Sequence, residues 1–118
     1  MSNAAEMSTQ EQDQSTAQDE LAARVVGMLR TIFDPEIPVN IVDLGLIYEL
    51  EVHPTGEVHV IMTLTAPACP VAQTFPESVR AALLRVDGVS EVTVELVWEP
   101  PWGRERMSEL ARFQLGML

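Results

Sequence analysis

The sequence predicts a small α/β protein of the two-layer α+β kind, in which helices pack on one face of a three-stranded sheet. Three observations carry this. Leu21, Val25, Met28, Leu29 and Ile32 recur at i, i+4, i+7, i+8 and i+11, which is one stripe of an amphipathic helix. Two alternating apolar segments follow, joined by the turn residues Pro54-Thr55-Gly56, and this spacing is that of an antiparallel hairpin. A second helical stripe then leads into a third alternating segment, so each element has one apolar side that only another layer can cover.

In order, the first helix runs from Leu21 to Phe33 or Asp34, because Pro35 disfavours helical geometry at the residue before it. Residues Asp34 to Asn40, with two prolines, form an irregular loop. The first strand spans Leu46 to Val52, with Leu46, Tyr48, Leu50 and Val52 on its core side and Ile47 on the other. The second spans Val58 to Thr65, with Val58, Val60, Met62 and Leu64 inward. Pro70 opens the second helix, where a missing N–H costs nothing, and its stripe is Phe75, Val79, Ala82, Leu83 and Val86. Asp87-Gly88 ends it. The third strand covers Glu91 to Glu99, with Val92, Val94, Leu96 and Trp98 inward. Beyond Pro100-Pro101, Arg104 to Phe113 repeats a helical pattern through Met107, Leu110 and Ala111. The order is helix–hairpin–helix–strand–helix.

Residues 1–20 differ from the rest. They carry five acids, no Lys or Arg, and many Gln, Ser and Ala, a composition too polar to offset the entropy of ordering, so they read as a disordered acidic tail ahead of a domain at 21–118. The whole chain has 18 acids against seven arginines, a formal charge of −11, and no lysine. An acidic body without a basic stripe excludes nucleic acid and anionic membranes as natural partners. No long apolar run spans a bilayer. The one cysteine, Cys69, excludes an internal disulfide and an all-cysteine metal site within one chain, and a lone thiol fits a cytoplasmic protein.

Cys69 is the first candidate for chemistry. It stands between a strand end and a helix start, where the helix dipole favours thiolate, the form that binds metal or attacks. Thr65 lies close enough in sequence to add a hydroxyl. Against this, most free cysteines are small buried hydrophobes. Asp34 and Glu36 flank Pro35, and loop carboxylates hold hard metals or move protons, although more often they cap turns. His53 and His59 belong to the hairpin and read as solvated. In Trp98-Glu99-Pro100-Pro101-Trp102-Gly103, two tryptophans surround a stiff bend; this corner reads as a pin for the last helix, with a binding surface as the sharper alternative.

The run Asp34-Pro35-Glu36-Ile37-Pro38-Val39-Asn40-Ile41-Val42-Asp43-Leu44-Gly45-Leu46-Ile47-Tyr48 resembles the signature of the domain shared by SufT, PaaD and the N-terminal part of Mrp-type iron–sulfur carrier ATPases. Met62 to Pro70 is similar to that domain's cysteine loop. The resemblance covers about Leu21 to Leu118 and is greatest to the stand-alone SufT type, since no further cysteine follows and no ATPase is appended. It implies a small α/β domain that assists iron–sulfur assembly and acts on client apo-proteins and the assembly machinery. It also implies a site formed by Asp34, Glu36, Thr65 and Cys69, with Cys69 the residue to touch iron. Where some members carry a second threonine, this chain has Ala66. No tightly bound cofactor is expected; iron or a cluster would pass through transiently, and one thiol leaves the remaining ligands to a second chain or outside donors. A homodimer is compatible with that. Two alternatives stand beside this non-enzymatic reading: a PaaD-like accessory to a multicomponent oxygenase, and a thiol-dependent hydrolase, which would lack the usual histidine base.

Overall fold

The computed structural model describes residues 17–65 and 74–116. Helix α1 covers residues 17–29 and so begins four residues before Leu21, inside the segment expected to be tail; residues 1–16 lie outside the described residues. Leu21, Val25 and Leu29 are buried, with Met28 and Ile32 packed partly against them. The helix stops earlier than Phe33. Thr31 N–H bonds to Met28 O at 3.0 Å and Ile32 N–H to Leu29 O at 3.1 Å, three-residue bonds that tighten the last turn. Phe33 is then extended and bridges Asn40, while Ile41 N–H bonds back to Ile32 O, so the 33–40 loop closes on its own base.

Asn40 starts the next turn. Its Oδ1 accepts from the N–H groups of Val42 and Asp43 at 3.1 and 3.0 Å, and its Nδ2 donates to Asp43 Oδ2 at 2.7 Å. This is the side-chain-to-backbone bonding that makes asparagine a turn former. The turn ends at Gly45, whose φ of 79° a β-carbon would strain. Ile41, Leu44 and Leu46 from this stretch are fully buried.

Strands β1 (Ile47–Val52) and β2 (Glu57–Met62) form the expected antiparallel hairpin, with Leu50 opposite Val60 and Val52 opposite Val58. The alternation in β2 holds as read: Val58, Val60, Met62 and the following Leu64 are all buried. Each such side chain removed from water contributes about 1.5–3 kcal/mol. In β1 the reading needs correction. A bulge between Ile47 and Glu49 sets two residues against one, so Ile47 pairs with Met62 and joins the core, while Tyr48 turns to the outer face. There its hydroxyl donates to Pro100 O at 2.7 Å and the Arg106 guanidinium lies 4.4 Å above its ring.

Helix α2 (Phe75–Leu84) starts after Thr74, so Pro76, not Pro70, occupies its first turn. Phe75, Val79 and Leu83 face the core, with Val86 just beyond the helix. It leads to β3 (Glu91–Leu96), which pairs with β2 in parallel, in the order β1-β2-β3. A parallel neighbour requires a crossover, which α2 lies within. The strand ends at Leu96, two residues short of Trp98. Trp98 is therefore 38% exposed and does not continue the core-facing row, as the alternation had suggested. After the cis Glu99–Pro100 peptide, a short 3₁₀ turn at Arg104–Arg106 precedes α3 (Glu109–Gln114). Ser108 caps α3 by accepting from Ala111 N–H at 3.1 Å. Met107 and Ala111 are buried, but Leu110 points outward, against expectation, because α3 is too short and too peripheral to bury a full stripe.

One core thus joins the stripes of α1 and α2 to the inner face of the sheet. No helix among the described residues is long and apolar enough to cross a membrane.

Candidate functional site

Asp34 leaves α1's terminal turn at the base of the 33–40 loop, and it is one of two buried polar or charged residues among those described, the other being Thr63. Its Oδ2 accepts from the N–H groups of Glu36 and Ile37 at 2.9 and 2.8 Å. Pro35 between them fixes the turn that brings both amides onto one oxygen. Thr65, just past the end of β2, donates its hydroxyl to the same carboxylate, 3.3 Å from Oδ1 and 3.4 Å from Oδ2. These contacts let a charged side chain sit 6% exposed without an orphaned lone pair facing the core.

Of the four residues named from the sequence, the structure therefore brings Asp34 and Thr65 together across 31 positions. Glu36 contributes its backbone N–H, but its exposed side chain faces a separate groove of about 370 Å³ with Ile37, Pro38, Arg104, Met107 and Leu115. Cys69 and Ala66 lie outside the described residues, and so does Pro70. No group of three or more His, Cys, Asp or Glu side chains among the described residues is placed to hold a metal ion. His53 is exposed, 3.6 Å from Glu51. With His59 it lines a shallow depression on the outer sheet face, beside Glu51, Glu57, Glu91 and Thr93.

Two further features adjoin Asp34 and Thr65. Thr63 is 1% exposed and its hydroxyl has no hydrogen-bond partner among the described residues, an unusual state for a buried polar atom. Spacing did not mark it, because it follows the end of β2 at Met62, where strand alternation no longer applies. Thr63, Leu64 and Thr65 also line a pocket of about 170 Å³ whose other walls are Trp98, Pro101 and Trp102. The indole N–H of Trp102 donates to Leu44 O at 2.7 Å. Ser108 N–H bonds to Asp43 O at 2.8 Å. The tryptophan corner thus pins the C-terminal segment to the Asn40–Gly45 turn, and it also forms part of the wall beside Thr65.

The family described as iron–sulfur cluster assembly protein matches residues 22–96. A relative from Porphyromonas gingivalis, named as an Fe-S protein maturation auxiliary factor, is 52% identical over 94 residues, covering 80% of this chain and 90% of the relative. The Fe-S protein maturation auxiliary factor SufT of Staphylococcus aureus is 36% identical over 86 residues, covering 73% of this chain and 98% of that protein. Among solved structures, a domain of unknown function from Bacillus anthracis superposes with a TM-score of 0.77 at 34% identity, covering 88% of this chain and 99% of that one.

Proposed function

Because this chain belongs to the iron–sulfur cluster assembly protein family, we propose that it is an auxiliary maturation factor acting on client apo-proteins in the cytoplasm, with Asp34, Glu36, Thr65 and Cys69 as its working residues. The observation that carries this reading is the buried Asp34 carboxylate held by Thr65 at the start of the segment that leads to Cys69. In this scheme Cys69 works beside that carboxylate, a pairing that disfavours a bare thiolate nucleophile and favours a cation between the two. Iron or a cluster is the cargo in this scheme and not a resident group. Cys69 supplies one ligand, and the rest come from the client, a second copy or a small thiol.

The test follows a client iron–sulfur enzyme in cells lacking this factor and complemented with variants. Cys69→Ser and Thr65→Val should each lower client activity while leaving the amount of client protein unchanged. Anaerobic reconstitution with ferrous iron and sulfide, counted per chain, should show iron retention that falls in Cys69→Ser. Full client activity in both variants would refute the assignment of these residues.

A further inference from the structure

The Trp98–Trp102 pocket is left without a task by the maturation reading, yet three features define what it would accept. The first is aromatic. Trp102 is held in place by its bond to Leu44 O, and Trp98 stands 38% exposed at the opposite end of the Pro100-Pro101 bend, so a guest meets one anchored indole and one accessible indole. The second is the sense of the hydrogen bonding. Thr65 spends its one proton on Asp34, so what it has left to offer a guest is lone pairs. The third is charge. No Lys, Arg or His lines the pocket among the described residues, the Asp34 carboxylate lies 3.3 Å behind the Thr65 hydroxyl, and the chain carries −11 overall.

Indole faces attract cations, acceptor oxygens call for donors, and an acidic surround favours positive charge. A guanidinium meets all three: it is flat, stacks on aromatic rings, and has five donors and no acceptor. We propose that this pocket anchors the guanidinium of an arginine projecting from a partner protein. That the partner belongs to iron–sulfur assembly rests on the maturation reading; that the pocket takes a guanidinium does not.

Trp98 and Trp102 are the chain's two tryptophans, so the intrinsic emission of the full chain reads this pocket directly. The probes are N-acetyl-arginine amide, its uncharged analogue N-acetyl-citrulline amide, and N-acetyl-leucine amide. Arginine amide should give a saturable change at concentrations about tenfold lower than citrulline amide, the factor a cation–π contact is worth. Binding, followed for the variants by calorimetry, should disappear in Trp98→Ala and weaken in Thr65→Val. Should Trp98→Ala fail to fold by circular dichroism, Trp98→Leu keeps bulk without a π face and serves instead. Absence of saturation with arginine amide, equal response to citrulline amide, tighter binding of leucine amide, or unchanged binding in both the Trp98 and Thr65 variants would overturn the proposal. Intact arginine binding alongside failure of the complementation test would sink the maturation reading alone.

Discussion

Replacing Asp34 by alanine and by asparagine should have very different costs, and the difference follows from which oxygen does what. Both backbone donors, Glu36 N–H at 2.9 Å and Ile37 N–H at 2.8 Å, converge on Oδ2, whereas Thr65 straddles the carboxylate at 3.3 and 3.4 Å. Alanine removes every acceptor at once. Charge-assisted bonds of this kind contribute about 1.5–3 kcal/mol each, but Glu36 is exposed and its amide regains water, so the two do not sum in full. A loss of about 3 kcal/mol is expected. Asparagine keeps one carbonyl oxygen where Oδ2 was, retaining both amide bonds. Its amino group then faces Thr65 Oγ1, which can rotate its own proton away and accept. Only the charge assistance is lost, about 1 kcal/mol. Urea unfolding measures both, and the midpoint should move with the slope unchanged if only stability changes. Equal losses in the two variants, within about 0.5 kcal/mol, would show that Oδ2 is not the anchor of the loop.

Gly45→Ala should destabilise by about 3 kcal/mol or more, because φ is 79° there and a β-carbon would meet the Arg106 carbonyl, whose carbon lies 2.8 Å from that position; thermal unfolding checks it. Trp98→Ala should cost about 1–2 kcal/mol in denaturant unfolding, less than the 3–5 of a core tryptophan, and a loss at the upper figure would put Trp98 back in the core. Thr63→Val should leave stability unchanged or raise it by about 1 kcal/mol, since a buried hydroxyl without a partner among the described residues is replaced by a methyl of the same shape. A fall of the melting point by more than about 5 °C would mean that this hydroxyl is bonded in solution.

The facing of strand β2 was legible because every second residue from Val58 to Leu64 is apolar and all four reach the core, although the strand itself ends at Met62 and not at Thr65. Strand β1 was legible in position but not in facing. A bulge adds one residue to the count, and nothing in the Leu46–Val52 alternation announces it. Trp98 misled for a related reason: period two was extended beyond Leu96, where pairing stops, into a stretch governed by the prolines that follow. At the site, the pairing of Asp34 with Thr65 is a contact across 31 positions, which spacing alone does not encode. It was anticipated only through the resemblance of the two motifs to a known domain. Thr63 carried no signal because a threonine in an apolar run looks like ordinary β-branched filling, and the lack of a partner for its hydroxyl among the described residues shows only once its neighbours are placed.

The strand order β1-β2-β3 leaves the central place to β2, so β1 and β3 each present an outer row of backbone groups that no further strand pairs among the described residues. Such rows invite a second molecule to add on as another strand. Beside Tyr48 and Thr93, the residues facing away from the core are Glu49 and Glu51 on β1 and Glu91 and Glu95 on β3, and all four glutamates are exposed. Two copies approaching through the same edge would bring glutamates towards glutamates. The acidity of the outer face thereby guards a short open sheet against strand-to-strand self-association.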